Sequence, residues 1–165
     1  MRKVYTKKGD AGTTADYSGR RVPKDDPLII VMGKIDALQS AIDAAILEGG
    51  AKHKVFLEWV QRKLWQTAGE LSCADEKCVI DPVVESDLEK LEAYIDALGE
   101  SPQHFIRFNT KKSIAYNEAR IRCRDLETSL VKLLRDEKVR PIAYAWLNRL
   151  SSLFFMLSYT TSKKK

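Results

Sequence analysis

The chain is poor in the residues that build metal centres and extended scaffolds: two histidines, three cysteines, five prolines and eight glycines among 165 residues. So little proline and glycine excludes collagen-like and low-complexity architectures. Cys73 and Cys78, separated by four residues, could open half a zinc site, but His53, His104 and Cys123 are too scattered to close it. A ferritin-like metal bundle needs Glu-x-x-His pairs, and neither histidine has a glutamate three residues before it. Both histidines have polar neighbours and are expected at the surface. The odd cysteine count and the absence of an export signal argue against a disulfide framework. No run of about 18 apolar residues exists, which excludes a membrane span. The opening MRKVYTKKGD lacks the apolar stretch of a signal peptide, so a cytoplasmic protein is expected. The imbalance of charge is small too: 28 Lys and Arg against 23 Asp and Glu leave a net +5. That excess suits an anionic ligand without pointing to nucleic acid, because the aromatics fall mainly at core spacing and the Lys163–Lys165 run reads as a solvated terminus.

What is present is ordinary globular material, 44% apolar and 31% charged, enough for one domain over 1–165. Residues 1–24 carry Gly9, Gly12, Gly19 and Pro23 without periodicity, and read as an ordered or ligand-ordered loop. Residues 26–163 form the expected helical part. Asp26-Pro27 is an N-cap with proline at the first helical position. Val31, Ile35, Leu38, Ile42 and Ala45 then form a stripe that Gly49-Gly50 ends. A second helix is expected over about Lys52–Ser72, with Val55, Trp59 and Leu64 among its apolar positions. A third follows from near Val84 to Gly99 with the stripe Leu88, Leu91, Ile95 and Leu98. Ser101–Lys112 is expected to be extended, Ser113–Lys138 helical, and Pro141 opens a fifth helix. The fold class is therefore all-α, a bundle of about five helices.

On the fourth helix, at about 100° per residue, Ala115, Ala119, Cys123, Leu126, Leu130 and Leu133 fill the core arc. Glu118, Arg122, Asp125 and Lys132 lie roughly opposite. Arg120, Arg124 and Glu127 occupy the edge beside the core, with Asn117 close by, and their i, i+4, i+7 spacing sets their heads along one ridge. This ridge is either a surface Arg–Glu pair or part of a binding site. On the first helix Asp36, Ser40 and Asp43 share a face with Ile29, Met32 and Leu47, a mixture suited to packing against another element or subunit. Asp36 there calls for a cation, and Arg120 or Arg124 is available. Asn148, Ser152 and Phe155 form a ridge on the fifth helix, where the amide and hydroxyl bond either a ligand or each other.

The segment YTKKGDAGTT joins two glycines to the hydroxyls of Thr6, Thr13 and Thr14, and Lys7, Lys8, Arg21 and Lys24 add positive charge. That chemistry suits a polyphosphate, although GxxxxGK[ST] is missing and the loop is not a Walker A motif. YTKKGDAGTT…GRRVPKDDP with GKIDALQSAI, then ARIRCRDLE and WLNRLSSLFF in order, resembles the PduO-type ATP:cob(I)alamin adenosyltransferases from Val4 to about Tyr159.

The resemblance implies a homotrimer of five-helix bundles with the active site between subunits. Its substrates would be ATP and a Co(I) corrinoid, cobalamin, and its product an adenosylcorrinoid, with intact triphosphate expelled. It places Thr6, Lys7, Lys8, Gly9, Thr14, Ala15 and Lys24 on the ATP loop. Asp36 falls on an aspartate that pairs with an arginine, here Arg120, across the subunit boundary. Arg124, Glu127 and Asn148 fall on nucleotide-contacting positions, and Phe105 near a phenylalanine that displaces the lower axial ligand of the corrinoid. No side chain is expected to bind metal, Mg²⁺ being carried by the ATP phosphates. A corrinoid reductase and an adenosylcobalamin-dependent enzyme are the implied partners, with no nucleic acid and no membrane.

The corrinoid side departs from the family pattern more than the ATP loop does. Arg107-Phe108-Asn109-Thr110 stands where a Leu-Pro-Gly-Gly turn is usual, Asn117 for a histidine, Asp125 for an arginine, Gln39 for an asparagine and Ser152 for an aspartate. The alternative expectation is a weakly active or non-catalytic relative that delivers ATP or corrinoid to a partner.

Overall fold

A computed structural model describes residues 4–16, 18–49, 51–73 and 80–162. Cys78, Gly50 and the Lys163–Lys165 tail lie outside the described residues. Two short strands, β1 (Thr13–Ala15) and β2 (Arg21–Pro23), precede five helices: α1 (Pro27–Gly49), α2 (Ala51–Ser72), α3 (Glu85–Asp96), α4 (Lys111–Arg135) and α5 (Pro141–Thr160). The antiparallel hairpin, with Thr14 opposite Val22, corrects the reading of 1–24 as wholly irregular. Asp16 builds its turn, accepting hydrogen bonds from Ser18 Oγ at 2.7 Å and from the Arg20 backbone N–H at 2.9 Å. The Ser18 bond first, with the Arg20 contacts adding to it, holds the Asp16 carboxyl below its ordinary range. Gly19, at φ +83°, supplies the left-handed residue that closes the turn.

The helix starts follow local chemistry. Asp26 Oδ1 accepts from the Leu28 N–H at 2.9 Å, satisfying one orphan donor of α1. Thr110 and Ser113 form a reciprocal box at the start of α4, each side-chain oxygen accepting the other's backbone N–H at 3.0 Å. Thr110 Oγ1 also bonds the Thr161 carbonyl at 3.0 Å, tying this start to the end of α5. Residues 101–110 are irregular, where an extended segment was expected.

The core is formed where α4 packs against both α1 and α5, with α2 against α1 and α3 against α5. The stripe expected on α1 is buried throughout, as are Ala119, Cys123, Leu126, Leu130 and Leu133 of α4, while Ala115 is half-buried. Trp146, Phe154, Leu150 and Leu153 of α5 close the centre; each such side chain contributes about 1.5–3 kcal/mol by leaving water. On α2 the buried face includes His53, Leu57, Val60, Leu64 and Ala68, while the apolar Val55 is 79% exposed.

His53 is likewise corrected from surface to core: it is 6% exposed and its Nδ1 lies 2.7 Å from Tyr94 Oη. Burial first, then the charges of Lys52 and Lys112, push its imidazole below the ordinary range. Cys73 is disulfide-bonded, where the cysteine count argued against a disulfide framework, and among the described residues Cys123 is a free, buried thiol.

Two ionic clamps place the segment leading into α3. Buried Lys63 reaches Asp81 at 3.1 Å and Asp87 at 3.0 Å. Burial opposes its charge, yet these hydrogen bonds prevail and raise its affinity for the proton. Arg140 grips Glu70 through two nitrogens, at 2.5 and 2.9 Å, and the Val83 carbonyl at 2.9 Å. Tyr94 of α3 stacks on Phe56 of α2 with ring centroids 3.5 Å apart, and Glu92 accepts from Arg149 of α5 at 2.8 Å.

Two predictions arise here. A Cβ on Gly49 would lie 2.0 Å from Tyr116 Oη, a buried hydroxyl with no hydrogen-bond partner among the described residues. Gly49→Ala should destabilise by about 1–3 kcal/mol in urea unfolding, with part of the loss restored by adding Tyr116→Phe. His53 has a lowered folded-state pKa, so the unfolded chain binds more protons as the pH drops through the ordinary histidine range. The neutral ring's contribution is therefore complete above about pH 6.5 and is lost below it. Thermal melts from pH 7.5 to 5.5 should show a smaller acid-side loss for His53→Gln than for the parent.

Candidate active site

Burying the small and aliphatic arc of α4 between α1 and α5 fixes the rotation of the helix and aims its neighbouring edge. Arg120 on that edge is half-buried and Arg124 exposed. Arg120 Nε donates to Asn117 Oδ1 at 2.8 Å, which orients the guanidinium. About two turns beyond Arg120, Asn148 Nδ2 of α5 donates to Glu127 Oε1 at 3.0 Å. Asn148 thus bonds across helices to Glu127, while Ser151 Oγ donates to the Asn148 carbonyl at 3.0 Å. Burial first and the Glu127 carboxylate next push the Tyr144 phenol above its ordinary range.

Arg120 and Arg124 face an open cleft of about 770 Å³. Ser151, Ser152, Phe155 and Met156 of α5 line it, with Ile95 and Asp96 of α3 and the following Gly99, Glu100 and Ser101. Phe155 is met edge-on by Phe108, centroids 6.2 Å apart at 78°. Asp96, Glu100, Ser101, Ser151 and Phe108 were not read as site residues. The signal for Asp96 was its place beside the Ile95 stripe position, as Arg124 stands beside Cys123. Phe155 and Ser152 were visible as a ridge.

The solvent side of α4 is separate. Arg122 pairs with Glu118 at 2.8 Å, and Asp125 accepts from Lys34 of α1 at 2.5 Å.

The N-terminal arm offers a second cationic surface. Arg21 donates to the Lys8 carbonyl at 2.5 Å and also to Thr13 Oγ1, and the Lys24 N–H donates to the Gly12 carbonyl at 2.9 Å. Lys24 Nζ lies over Gly9, where an added Cβ would come within 3.4 Å of it. Thr6, Lys7, Lys8, Ala15 and Lys24 are exposed, and Gly9 and Thr14 half-buried. None of the described arm residues lines this cleft. Asp36 is exposed on α1, and among the described residues no ion pair reaches it within the chain. Asp43, two ridge positions on, accepts from Gln61 of α2 at 2.7 Å. Phe105 is 96% exposed and outside the lining of the cleft.

The family model for cobalamin adenosyltransferase matches residues 4–161. The chain belongs to the cobalamin adenosyltransferase family. It is 31% identical over 160 residues to a cobalamin adenosyltransferase of Cupriavidus metallidurans, covering 96% of this chain and 87% of that one. It is 30% identical to the corrinoid adenosyltransferase PduO of Citrobacter freundii over 94% of this chain and 48% of the relative; against such relatives it spans about half their length. A solved variant of a PduO-type ATP:corrinoid adenosyltransferase from Lactobacillus reuteri, complexed with cobalamin and ATP, superposes with a TM-score of 0.82 at 26% identity, covering 96% of this chain and 90% of that one. A further variant from the same organism, complexed with ATP, gives 0.80 at 26% identity, with 94% and 91% covered. No helix among the described residues of this family member is long and apolar enough to cross a membrane.

The two loop phenylalanines should separate on substitution. Phe108→Ala, which removes the partner of Phe155, should cost about 1–3 kcal/mol in stability, whereas Phe105→Ala should stay within about 0.5 kcal/mol, measured by denaturant midpoints.

Proposed function

We propose that this chain transfers the 5′-deoxyadenosyl group of ATP to a Co(I) corrinoid, cobalamin, with release of triphosphate. The observation that carries this reading is the Arg120–Arg124 row facing a large cleft with an aromatic flank, in a member of this family. Co(I) donates its electron pair to C5′ and the C5′–O bond breaks. The triphosphate leaves with the bonding pair, and the cobalt is formally oxidised to Co(III). So strong a nucleophile needs no side-chain base; the protein must hold the reactants in line and stabilise charge on the leaving group.

Arg124 supports the triphosphate on this reading, Arg120 is held ready by Asn117, and the Glu127–Asn148 pair contacts the nucleoside. The arm, with Thr6, Lys7, Lys8, Gly9, Thr14, Ala15 and Lys24, wraps the phosphates. Its cations and hydroxyls suit an anion that carries its own Mg²⁺. The ion would neutralise phosphate charge when bound. Because the described arm residues do not line this cleft and Asp36 has no cationic partner among the described residues, the reading includes a homotrimer. In it the arm of one protomer covers the cleft of the next, Asp36 meets Arg120 across the boundary, and Phe105 presses on the lower corrinoid face. Residues 1–24 then act as the ATP arm of a single helical domain. A cytoplasmic setting, with a corrinoid reductase and an adenosylcobalamin-dependent enzyme as partners, completes it.

Mixing the protein with chemically reduced cobalamin and MgATP should give adenosylcobalamin and triphosphate in equal amounts; failure to form both overturns the reading. Arg124→Ala should lower kcat/KM about a hundredfold, while Arg122→Ala, tied to Glu118 on the far side, should change it less than about twofold. Steady-state kinetics with varied ATP distinguishes them.

A further inference from the structure

Glu127 follows Arg124 by three residues on α4, a spacing at which a carboxylate and a guanidinium meet on a helix surface. They do not pair. Among the described residues no ion pair engages Arg124, which is exposed and lines the cleft. Glu127 is half-buried and lies outside that lining. Its carboxylate is turned to α5, where Asn148 Nδ2 donates to Oε1 at 3.0 Å. The Tyr144 hydroxyl, one turn earlier on the same face of α5, donates to the same carboxylate. Tyr144 packs against the core, so its hydroxyl is presented from a fixed place. Burial first and the carboxylate next favour the protonated phenol, which is the form that donates.

We propose that Tyr144 is a positioning residue: with Asn148 it holds the Glu127 carboxylate off Arg124, and so keeps that guanidinium open to the triphosphate. The inference rests on the reading of Arg124 as the triphosphate support. A guanidinium paired with a carboxylate has fewer donors left for a phosphate, and a carboxylate swung beside the phosphates adds a like charge. An exposed pair at this spacing would compete for Arg124 by only about twofold in affinity; repulsion of the triphosphate enlarges the loss. Asn148 is also assigned to the nucleoside, whereas Tyr144 lies outside the lining of the cleft. Removing its hydroxyl therefore isolates the restraint from direct contact with ligand.

Calorimetric titration with MgATP in the absence of corrinoid reads binding alone, and Tyr144→Phe keeps the ring while losing the donor. At about 50 mM salt the variant should bind MgATP about three- to tenfold more weakly than the parent. The ratio should shrink toward one at about 500 mM, because the released carboxylate acts through its charge and is screened. In the Glu127→Gln background the same substitution should change affinity less than about twofold, since no carboxylate remains to hold. A lost packing contact would follow neither pattern. Unchanged affinity in Tyr144→Phe, a loss that salt does not reduce, or an equal loss in the Glu127→Gln background overturns the inference. Transfer to Co(I) cobalamin by the parent is measured alongside. Adenosylcobalamin formed together with any of those three results leaves the enzymatic reading standing without the role of Tyr144. The salt-dependent loss without transfer supports that role and removes the enzymatic reading. A parent that does not bind MgATP overturns both.

Discussion

Everything in the site depends on how α4 is rotated. Its arc of Ala119, Cys123, Leu126, Leu130 and Leu133 is buried between α1 and α5, and small residues at 119 and 123 allow close approach of the helices. A helix locked on that arc has no freedom to choose where its next edge points. The guanidiniums of Arg120 and Arg124 are therefore aimed by packing rather than by ion pairs of their own. The long cationic side chains lose part of their freedom in advance of any ligand, and Asn117 removes more of it at Arg120.

The opposing wall is placed by different means. α3 is short, twelve residues, and contributes few core side chains, so it is fastened by polar and aromatic contacts. Lys63 and Arg140 clamp the chain that leads into it, and Phe56–Tyr94 stacking and the Arg149–Glu92 pair hold its body. A buried lysine between two carboxylates contributes more to geometry than to net stability, because its desolvation offsets much of the attraction. The cleft thus joins a wall fixed by apolar burial to one fixed by ionic contacts.

Periodicity revealed the arcs of α1 and α4, the Asp26-Pro27 start and the Arg120–Arg124–Glu127 ridge, because each is a property of one helix considered alone. It gave no warning of the hairpin, whose three-residue strands are too short to alternate and depend on Asp16 reaching its own turn. His53 was legible but misjudged: positions 53, 57, 60 and 64 form the core stripe of α2, and polar sequence neighbours obscured that spacing. Val55 lies half a turn away and is exposed for the same reason. Asp96 and Glu100 were hidden because they reach the cleft only when α3 is laid beside α5. Roles toward a nucleotide or a corrinoid are what the family likeness implies; no spacing within this chain could name them.

Cys123 sits in the middle of the arc that sets the rotation of α4, 2% exposed, and burial, with the Glu127 carboxylate adding to it, pushes its thiol far up. Only the thiolate attacks alkylating reagents, so this sulfur stays silent while the helices are closed. Its labelling rate is a clock on the opening of the α1–α4–α5 seam, built into the helix face whose register governs the arginines.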